Sequence, residues 1–258
     1  MKVVILAGGL GTRLGEETVN IPKPMVEIGG RPILWHIMKI YSSFGFNEFV
    51  VALGYKAEVV KRYFMNYHLI TSDCTVDVGA GTMHLLDSPQ QKRDDWVIHL
   101  IDTGLNTQTG GRLKRLEPLL RDEPFMLTYG DGVSNVHIPS LIERHHQAGR
   151  MATITAVRPP ARFGGVLFDG NMVSEFTEKP QAGEGWVNGG FMVMTPDIFQ
   201  FIDGDDDPLE VKLLETLANN RQLAAYKHDD FWQCMDTVRD KQFLERLWNS
   251  PNPPWRKW

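Results

Sequence analysis

Short apolar strands alternate with amphipathic helices through the N-terminal part of the chain, and this alternation constrains the fold more than any other feature. The run from Val3 to Ala7 is rich in β-branched residues and ends at Gly8-Gly9, which is typical of a buried parallel strand entering a loop. A helix is predicted after Pro32, a good first-turn residue, and Phe49 to Leu53 is predicted as the next strand. This order of strand, helix and strand implies a right-handed crossover.

The alternation continues far enough to define the fold class. Further elements are predicted as helix 57–67, strand 97–101, helix 110–121, strand 125–129, helix 138–148 and strand 151–157. We therefore predict an α/β protein with a Rossmann-like, mostly parallel mixed sheet that carries helices on both faces.

The pattern changes beyond residue 160. Short strands with glycine turns are predicted at 165–168 and 172–177, followed by a helix at 208–217. We interpret the short strands as a small antiparallel extension over the same site. Segment 71–95 is polar and not strongly periodic, so its form stays open between a lid and an oligomer contact.

Size and charge limit the class of protein further. A chain of 258 residues without internal repeats fits one compact domain, since domains average about 150 residues. The 27 basic and 32 acidic residues leave a formal charge of −5, which disfavours nucleic acid and anionic membrane as partners. No apolar run has the length of a signal-peptide core or a bilayer span, so we expect a cytoplasmic protein.

The loop after the first strand combines glycines with two cations. Gly8-Gly9 and Gly11 allow backbone N–H groups to approach phosphate oxygens. A dinucleotide fingerprint would need a small residue at Leu14, and no Gly-Lys-Ser/Thr ending makes a P-loop. Because Arg13 and Lys23 could neutralise a triphosphate, we interpret the loop as phosphate-binding rather than as a surface with solvated cations.

Two aspartates follow apolar segments and are candidate metal ligands. Asp131 lies between glycines after strand 125–129, where open α/β sheets bind their ligands. Asp236 follows the apolar segment 231–235. Mg²⁺ usually takes one or two protein carboxylates together with phosphate oxygens. Each aspartate also has a plain structural interpretation: a turn residue for Asp131 and a helix N-cap for Asp236.

A third motif follows the predicted strand 173–177. It consists of Glu178-Lys179-Pro180, with Asn188 a few residues later. Lysine suits a phosphate as a point charge, and a carboxylate accepts hydrogen bonds from sugar hydroxyls. Taken alone, the tripeptide favours a solvated turn over a binding site.

Together these motifs resemble the sugar-phosphate nucleotidylyltransferase family. The likeness is carried by segments 8–13, 23–24, 130–132 and 178–180, with Trp232 and Asp236-Thr237, and it covers nearly the whole chain. Segments 31–38 and 103–112 are most similar to members that use CTP and glucose 1-phosphate. The resemblance implies a single domain with a fold of the nucleotide-diphospho-sugar transferase type. Its nucleotide-binding part is expected in about residues 1–160 and its sugar-phosphate-binding part in about residues 161–258.

The resemblance also implies roles for individual residues. Nucleotide contacts are expected from Leu6, Ala7, Gly8, Gly9, Gly11, Thr12, Arg13, Lys23, Thr103, Gly104, Thr109, Gly110, Tyr129 and Gly130. The sugar phosphate is expected at Gly165, Glu178, Lys179 and Asn188, and Mg²⁺ at Asp131 and Asp236. The residues expected to act in catalysis are Arg13, Lys23, Lys179 and Asp131.

The implied reaction is direct in-line attack by an oxygen of glucose 1-phosphate on the α-phosphorus of CTP, which gives CDP-glucose and pyrophosphate with Mg²⁺ and no protein nucleophile. Thymidylyl or uridylyl transfer to the same sugar phosphate stays open, because base choice depends on a few hydrogen bonds. A non-catalytic, regulatory nucleotide-sugar-binding domain also stays open. The resemblance further implies a homo-oligomer and a place in deoxysugar synthesis for lipopolysaccharide O-antigen.

Overall fold

The fold is a mixed α/β structure built on one large sheet. The computed structural model describes residues 1–11, 14–15, 17–86, 94–159, 165–177 and 185–258. Its strands are β1 (Val3–Leu6), β2 (Glu27–Ile28), β3 (Arg31–Pro32), β4 (Glu48–Leu53), β5 (Cys74–Asp77), β6 (Thr82–Leu85), β7 (Val97–Asp102), β8 (Phe125–Tyr129), β9 (Gly132–Ser134), β10 (Ala152–Val157), β11 (Gly165–Asp169), β12 (Met172–Thr177), β13 (Val187–Asn188), β14 (Met192–Met194), β15 (Leu223–His228) and β16 (Trp232–Cys234).

Helices fill most of the intervals between these strands. The α-helices are α1 (Glu17–Asn20), α2 (Ile33–Ser42), α3 (Ala57–Met65), α4 (Tyr67–Thr71), α5 (Thr109–Arg115), α6 (Glu117–Leu120), α7 (Ile138–Ala148), α8 (Glu215–Asn219) and α9 (Val238–Trp248). Two 3₁₀ turns, Lys23–Met25 and Pro196–Phe201, and a π-helical segment, Leu209–Leu214, complete the helical elements of the described residues.

The large sheet is mostly parallel, as predicted. Strands β8, β1, β4 and β7 lie side by side in this order and run parallel. On the other side of β8, the strands β13 and β14 run antiparallel and share one edge of β10, while β15 pairs parallel with its opposite edge. The carboxyl ends of the parallel strands therefore meet along one edge of the sheet, where open α/β folds bind ligands.

Each face of the sheet buries its own core, because side chains alternate along a strand. Val3 and Ile5 of β1 belong to a core shared with α2, α3, α7 and α9. Val4 and Leu6 belong to the opposite core, shared with α5, α6, α8 and the π-helical segment. The predicted arrangement of helices on both faces is confirmed.

Three predicted helices differ from the structure in ways that local chemistry explains. Helix 57–67 ends at Met65, because the Asn66 amide donates a hydrogen bond to the carbonyl of Arg62 and competes with the helical pattern. Helix 110–121 splits into α5 and α6 near Pro118, which has no N–H to continue the bonding. Helix 208–217 is a π-helical segment that passes into α8.

Antiparallel hairpins outside the large sheet include β2 with β3, β5 with β6, and β11 with β12. The short strands predicted beyond residue 160 form the antiparallel pair of β11 and β12, and their placement over the site stays a prediction. Segment 71–95, whose form was open, contains the pair of β5 and β6, in which Val76 lies opposite Met83 and both side chains are exposed. Every helix of the described residues is too short or too polar to span a membrane.

Candidate active site

The candidate site is a cavity at the carboxyl ends of β1 and β8. It has a volume of about 410 Å³, within the range of small-molecule sites. Its lining consists of Leu6, Ala7, Gly8, Gly9, Gly11, Lys23, Pro24, Thr107, Gln108, Thr109, Arg112, Tyr129, Gly130, Asp131, Glu210 and Asp236. The glycine-rich loop and both predicted metal ligands therefore share one cavity, as the resemblance implied.

Strand pairing brings the two aspartates together although they are far apart in sequence. Strand β9 begins directly after Asp131, and β16 ends two residues before Asp236. These strands pair antiparallel, with Gly132 opposite Cys234, and the N–H of Met235 donates to the carbonyl of Asp131 at 2.8 Å. The two carboxylates therefore lie next to each other, at the same end of the antiparallel pair of β9 and β16.

The ammonium of Lys23 joins the two carboxylates. Nζ donates to Asp131 Oδ2 at 2.6 Å and to Asp236 Oδ1 at 2.6 Å. Lys23 reaches this position from the 3₁₀ turn that follows Pro22. Burial alone would lower the pKa of Lys23, but the charge of Asp131 and the hydrogen bonds that Nζ donates to both carboxylates outweigh burial and raise this pKa. The lysine is therefore a fixed positive charge in the cavity.

The structure removes one alternative interpretation of Asp236. The N-cap of α9 is Thr237, which forms a capping box with Asp240. The Asp236 side chain instead faces Lys23 and receives a hydrogen bond from the thiol of Cys234 at 3.6 Å. Burial, with a further contribution from the charges of Asp236 and Asp131, raises the pKa of Cys234 to about 12, so this thiol stays neutral.

A buried arginine holds the loops that follow β1, β4 and β7. The Arg112 guanidinium donates to the carbonyls of Gly8, Leu53, Gly104 and Leu105, and to the hydroxyl of Thr103. A Cβ atom added at Gly8 would lie 2.2 Å from this guanidinium, so the loop needs glycine there. All five acceptors are uncharged, and the arginine therefore adds positive potential to the cavity wall.

Four polar side chains form a network across the cavity. Glu210, which lies in the π-helical segment, accepts hydrogen bonds from the Tyr129 hydroxyl at 2.7 Å and from the Thr109 hydroxyl at 3.0 Å. The Asn188 amide donates to the Tyr129 hydroxyl at 3.3 Å. Burial and the negative charge of Glu210 raise the pKa of Tyr129, so its hydroxyl remains a donor. The network links residues expected at the nucleotide with one expected at the sugar.

The other predicted residues are placed as follows. Thr103 is buried away from the cavity, and its hydroxyl donates to the carbonyl of Leu53 at 2.6 Å. Gly104 supplies a carbonyl to Arg112, and Gly110 packs against the backbone of Asp207. Gly165 begins β11 in the separate hairpin. Their expected ligand contacts stay predictions. Thr12, Arg13, Glu178 and Lys179 lie outside the described residues.

Sequence reasoning missed Arg112 and Glu210 as functional residues. Arg112 lay inside a segment used for the resemblance, but nothing in its neighbours showed that its guanidinium would be buried under three loops. Glu210 lay in a stretch predicted as an ordinary helix. The signal that identifies both is their position on the cavity wall, which depends on tertiary structure.

The fold and the cavity define a protein of the open α/β class with a polar cavity at the carboxyl ends of its parallel strands. The chain matches the model of the family described as nucleotidyl transferase over residues 2–238. It belongs to this family, and the recognition of a nucleotidylyltransferase from its sequence motifs is confirmed.

Relatives with similar sequences are named as nucleotidylyltransferases. A glucose-1-phosphate cytidylyltransferase from Salmonella typhi is 48% identical over 259 residues, which cover 100% of both chains. A probable glucose-1-phosphate cytidylyltransferase from Bacillus subtilis (strain 168) is 40% identical with the same coverage.

Solved structures share the fold at lower identity. HddC from Yersinia pseudotuberculosis complexed with GMP-PN has a TM-score of 0.64 at 24% identity, covering 96% of this chain and 99% of that chain. UDP-glucose pyrophosphorylase complexed with UDP-glucose has a TM-score of 0.65 at 17% identity, covering 96% of this chain and 97% of that chain. Both confirm the predicted α/β fold.

Proposed function

We propose that the protein transfers a cytidylyl group from CTP to α-D-glucose 1-phosphate, giving CDP-glucose and pyrophosphate. The observation that carries the reaction class is the meeting of Lys23, Asp131 and Asp236 at 2.6 Å beside the glycine-rich loop. The substrates follow from the relatives that are 48% and 40% identical over the whole chain.

We propose Mg²⁺ as the cofactor, and the residues present fit it. In the structure, the carboxylates of Asp131 and Asp236 both bind the same cation, which is the ammonium of Lys23. The described residues contain no group of three or more His, Cys, Asp or Glu side chains that would suit a metal with an all-protein ligand shell. Two carboxylates are what Mg²⁺ needs when phosphate oxygens supply further ligands. When bound there, the ion would neutralise charge on the transferred phosphoryl group.

The protein's own groups bind the two substrates, orient them and offset their charge. The glycine-rich loop offers backbone N–H groups to phosphate oxygens, and Lys23 and Arg112 offset the repulsion between two anionic substrates. An oxygen of glucose 1-phosphate attacks the α-phosphorus of CTP, and pyrophosphate leaves on the opposite side. Expected contributions from Arg13 and Lys179 belong to the same proposal. No protein nucleophile is needed.

The proposal extends to assembly and location. A homo-oligomer is supported by the hairpin of β5 and β6, which leaves Val76, Met83 and Leu85 exposed. Light scattering of the purified chain checks this point, since a mass near 29.3 kDa would exclude assembly. We also propose a cytoplasmic location, and fractionation of the cell that makes the protein checks it.

The decisive experiment measures pyrophosphate release with Mg²⁺ and glucose 1-phosphate, in parallel with CTP, UTP, dTTP, ATP and GTP. We expect release with CTP well above the others. If UTP or dTTP gave the most pyrophosphate, the proposed mechanism would stand but the proposed specificity for CTP would be wrong. Binding of nucleotide without pyrophosphate release would favour a non-catalytic, regulatory domain.

A further inference from the structure

A lysine lies between the two carboxylates that are proposed to hold the metal. The Lys23 side chain is 14% exposed, and those of Asp131 and Asp236 are 30% and 18% exposed. Each carboxylate gives one oxygen to Nζ at 2.6 Å. The ammonium is therefore an enclosed cation held by the same groups that the metal requires.

Lys23 and a metal ion compete for these carboxylates. Mg²⁺ binds oxygen at about 2.0–2.1 Å and demands near-octahedral geometry. A cation of charge +2 and an ammonium at hydrogen-bond distance from the same two oxygens repel each other strongly in a partly buried site. A metal that takes both carboxylates therefore has to displace Lys23 from them.

We propose that Lys23 is a resident counter-ion that keeps free metal out, and that the nucleotide's triphosphate draws Lys23 away so that metal and nucleotide enter together. The inference rests on the proposed function for the identity of the site. It assigns Lys23 a second role, because the residue would hold the Asp131 and Asp236 carboxylates together before it contacts phosphate.

The physical reason is the cost of leaving a charge without a partner. If metal bound alone, the Lys23 ammonium would lose both carboxylates while it remained largely enclosed, which is unfavourable. A triphosphate offers oxygen acceptors beside the glycine-rich loop, so the displaced ammonium finds new partners. Metal and nucleotide should then raise each other's affinity by the same factor. Without metal, Lys23 also prevents repulsion between Asp131 and Asp236.

The test measures Mn²⁺ binding by electron paramagnetic resonance in the absence of any nucleotide. We expect Lys23→Met to bind Mn²⁺ at least tenfold more tightly than the unmodified protein. Lys39→Met is the matched control, because it removes a similarly enclosed lysine that pairs with Asp94 at 2.8 Å elsewhere, and its Mn²⁺ affinity should not change. The double variant Lys23→Met/Asp131→Asn should lose the gain, which assigns the gained site to the carboxylate pair.

A melting experiment covers the case in which Lys23→Met does not fold. For the unmodified protein, Mn²⁺ alone should leave the Tm unchanged, and Mn²⁺ with a non-hydrolysable nucleoside triphosphate should raise it beyond the effect of nucleotide alone. An unmodified protein that binds Mn²⁺ equally well with and without nucleotide would overturn the inference, as would a folded Lys23→Met variant without tighter binding. Neither readout uses turnover, so failure of the proposed reaction is distinguished from failure of this inference.

Discussion

At the scale of single residues, the Arg112 guanidinium determines the shape of the cavity wall. It binds loops after three neighbouring strands, and lysine cannot replace its planar set of donors. We predict that Arg112→Lys lowers the free energy of unfolding by about 3 kcal/mol, because buried carbonyls lose their partners. Turnover should fall at least tenfold through displacement of Gly8. Urea unfolding and pyrophosphate release measure the two effects.

The matched control is Arg115→Lys in the same helix. Arg115 pairs with Asp205 at the surface, where both side chains are about half exposed. Solvent screens an exposed pair of this kind and it contributes little to stability, so stability and turnover should stay near those of the unmodified protein. Equal effects of the two substitutions would contradict a special role for Arg112.

The aspartate pair gives a second prediction at this scale. Asp131→Asn and Asp236→Asn should each lower kcat by at least about a hundredfold, because each removes a carboxylate charge that would hold the Mg²⁺ proposed to neutralise the transferred phosphoryl group. The fold should survive, since the amide is nearly isosteric, and circular dichroism checks this point. Near-normal kcat in either variant would remove that residue from the metal site.

How far the sequence predicts this site depends on what each residue needs from the fold. Lys23, Asp131 and Asp236 belong to short motifs that are visible in the sequence, and the structure places all three on the cavity wall. Arg112 and Glu210 act through contacts with residues distant in sequence, such as Gly8 and Tyr129. No local pattern contains that information, so it became visible only in the folded chain.

At the scale of elements, the start of α9 fixes the position of Asp236. Thr237 caps this helix, and the Asp240 carboxylate accepts hydrogen bonds from the backbone N–H groups of Asp236 and Thr237. We predict that Thr237→Ala lowers the free energy of unfolding by about 1 kcal/mol and raises the KM for the metal, because the turn that carries Asp236 loosens. Thr237→Ser keeps the hydroxyl and should behave like the unmodified protein. A stability loss with an unchanged metal KM would show that the cap does not position Asp236.

The bounds of strands and helices show which elements an apolar sequence pattern can predict and which it cannot. The strands and helices predicted between residues 3 and 157 lie within about two residues of their observed bounds, apart from the division of helix 110–121 into α5 and α6, because alternating apolar residues reflect burial on the two faces of the sheet. Strands β13, β14 and β15 of the same sheet were not predicted. The π-helical segment was missed, since its apolar spacing matches that of an α-helix. Its first N–H, from Leu209, bonds to the Thr109 hydroxyl instead, which is a tertiary contact.

At the scale of the whole molecule, the C-terminal residues fasten back onto the first large helix. Trp255 is buried against Phe231 and Trp248, and its indole N–H donates to His36 Nδ1 at 3.3 Å. His36 Nε2 lies 2.8 Å from the carbonyl of Ile28, which requires a proton on Nε2. The imidazole is therefore held neutral in the core.

This arrangement predicts how stability depends on pH. Burial lowers the pKa of His36 to about 4, against about 6.5 in an unfolded chain. Between these values the unfolded chain binds the proton and the folded one does not, so stability is complete above about pH 6.5 and falls as the pH drops toward 4. The full contribution of His36 to the free energy of unfolding is about 3 kcal/mol.

Urea unfolding at pH 7.5, 6 and 5 measures this contribution, with His36→Gln as the comparison. The variant should be less stable at pH 7.5 and should lose less stability between pH 7.5 and 5, whereas equal losses would assign the acid sensitivity to other groups.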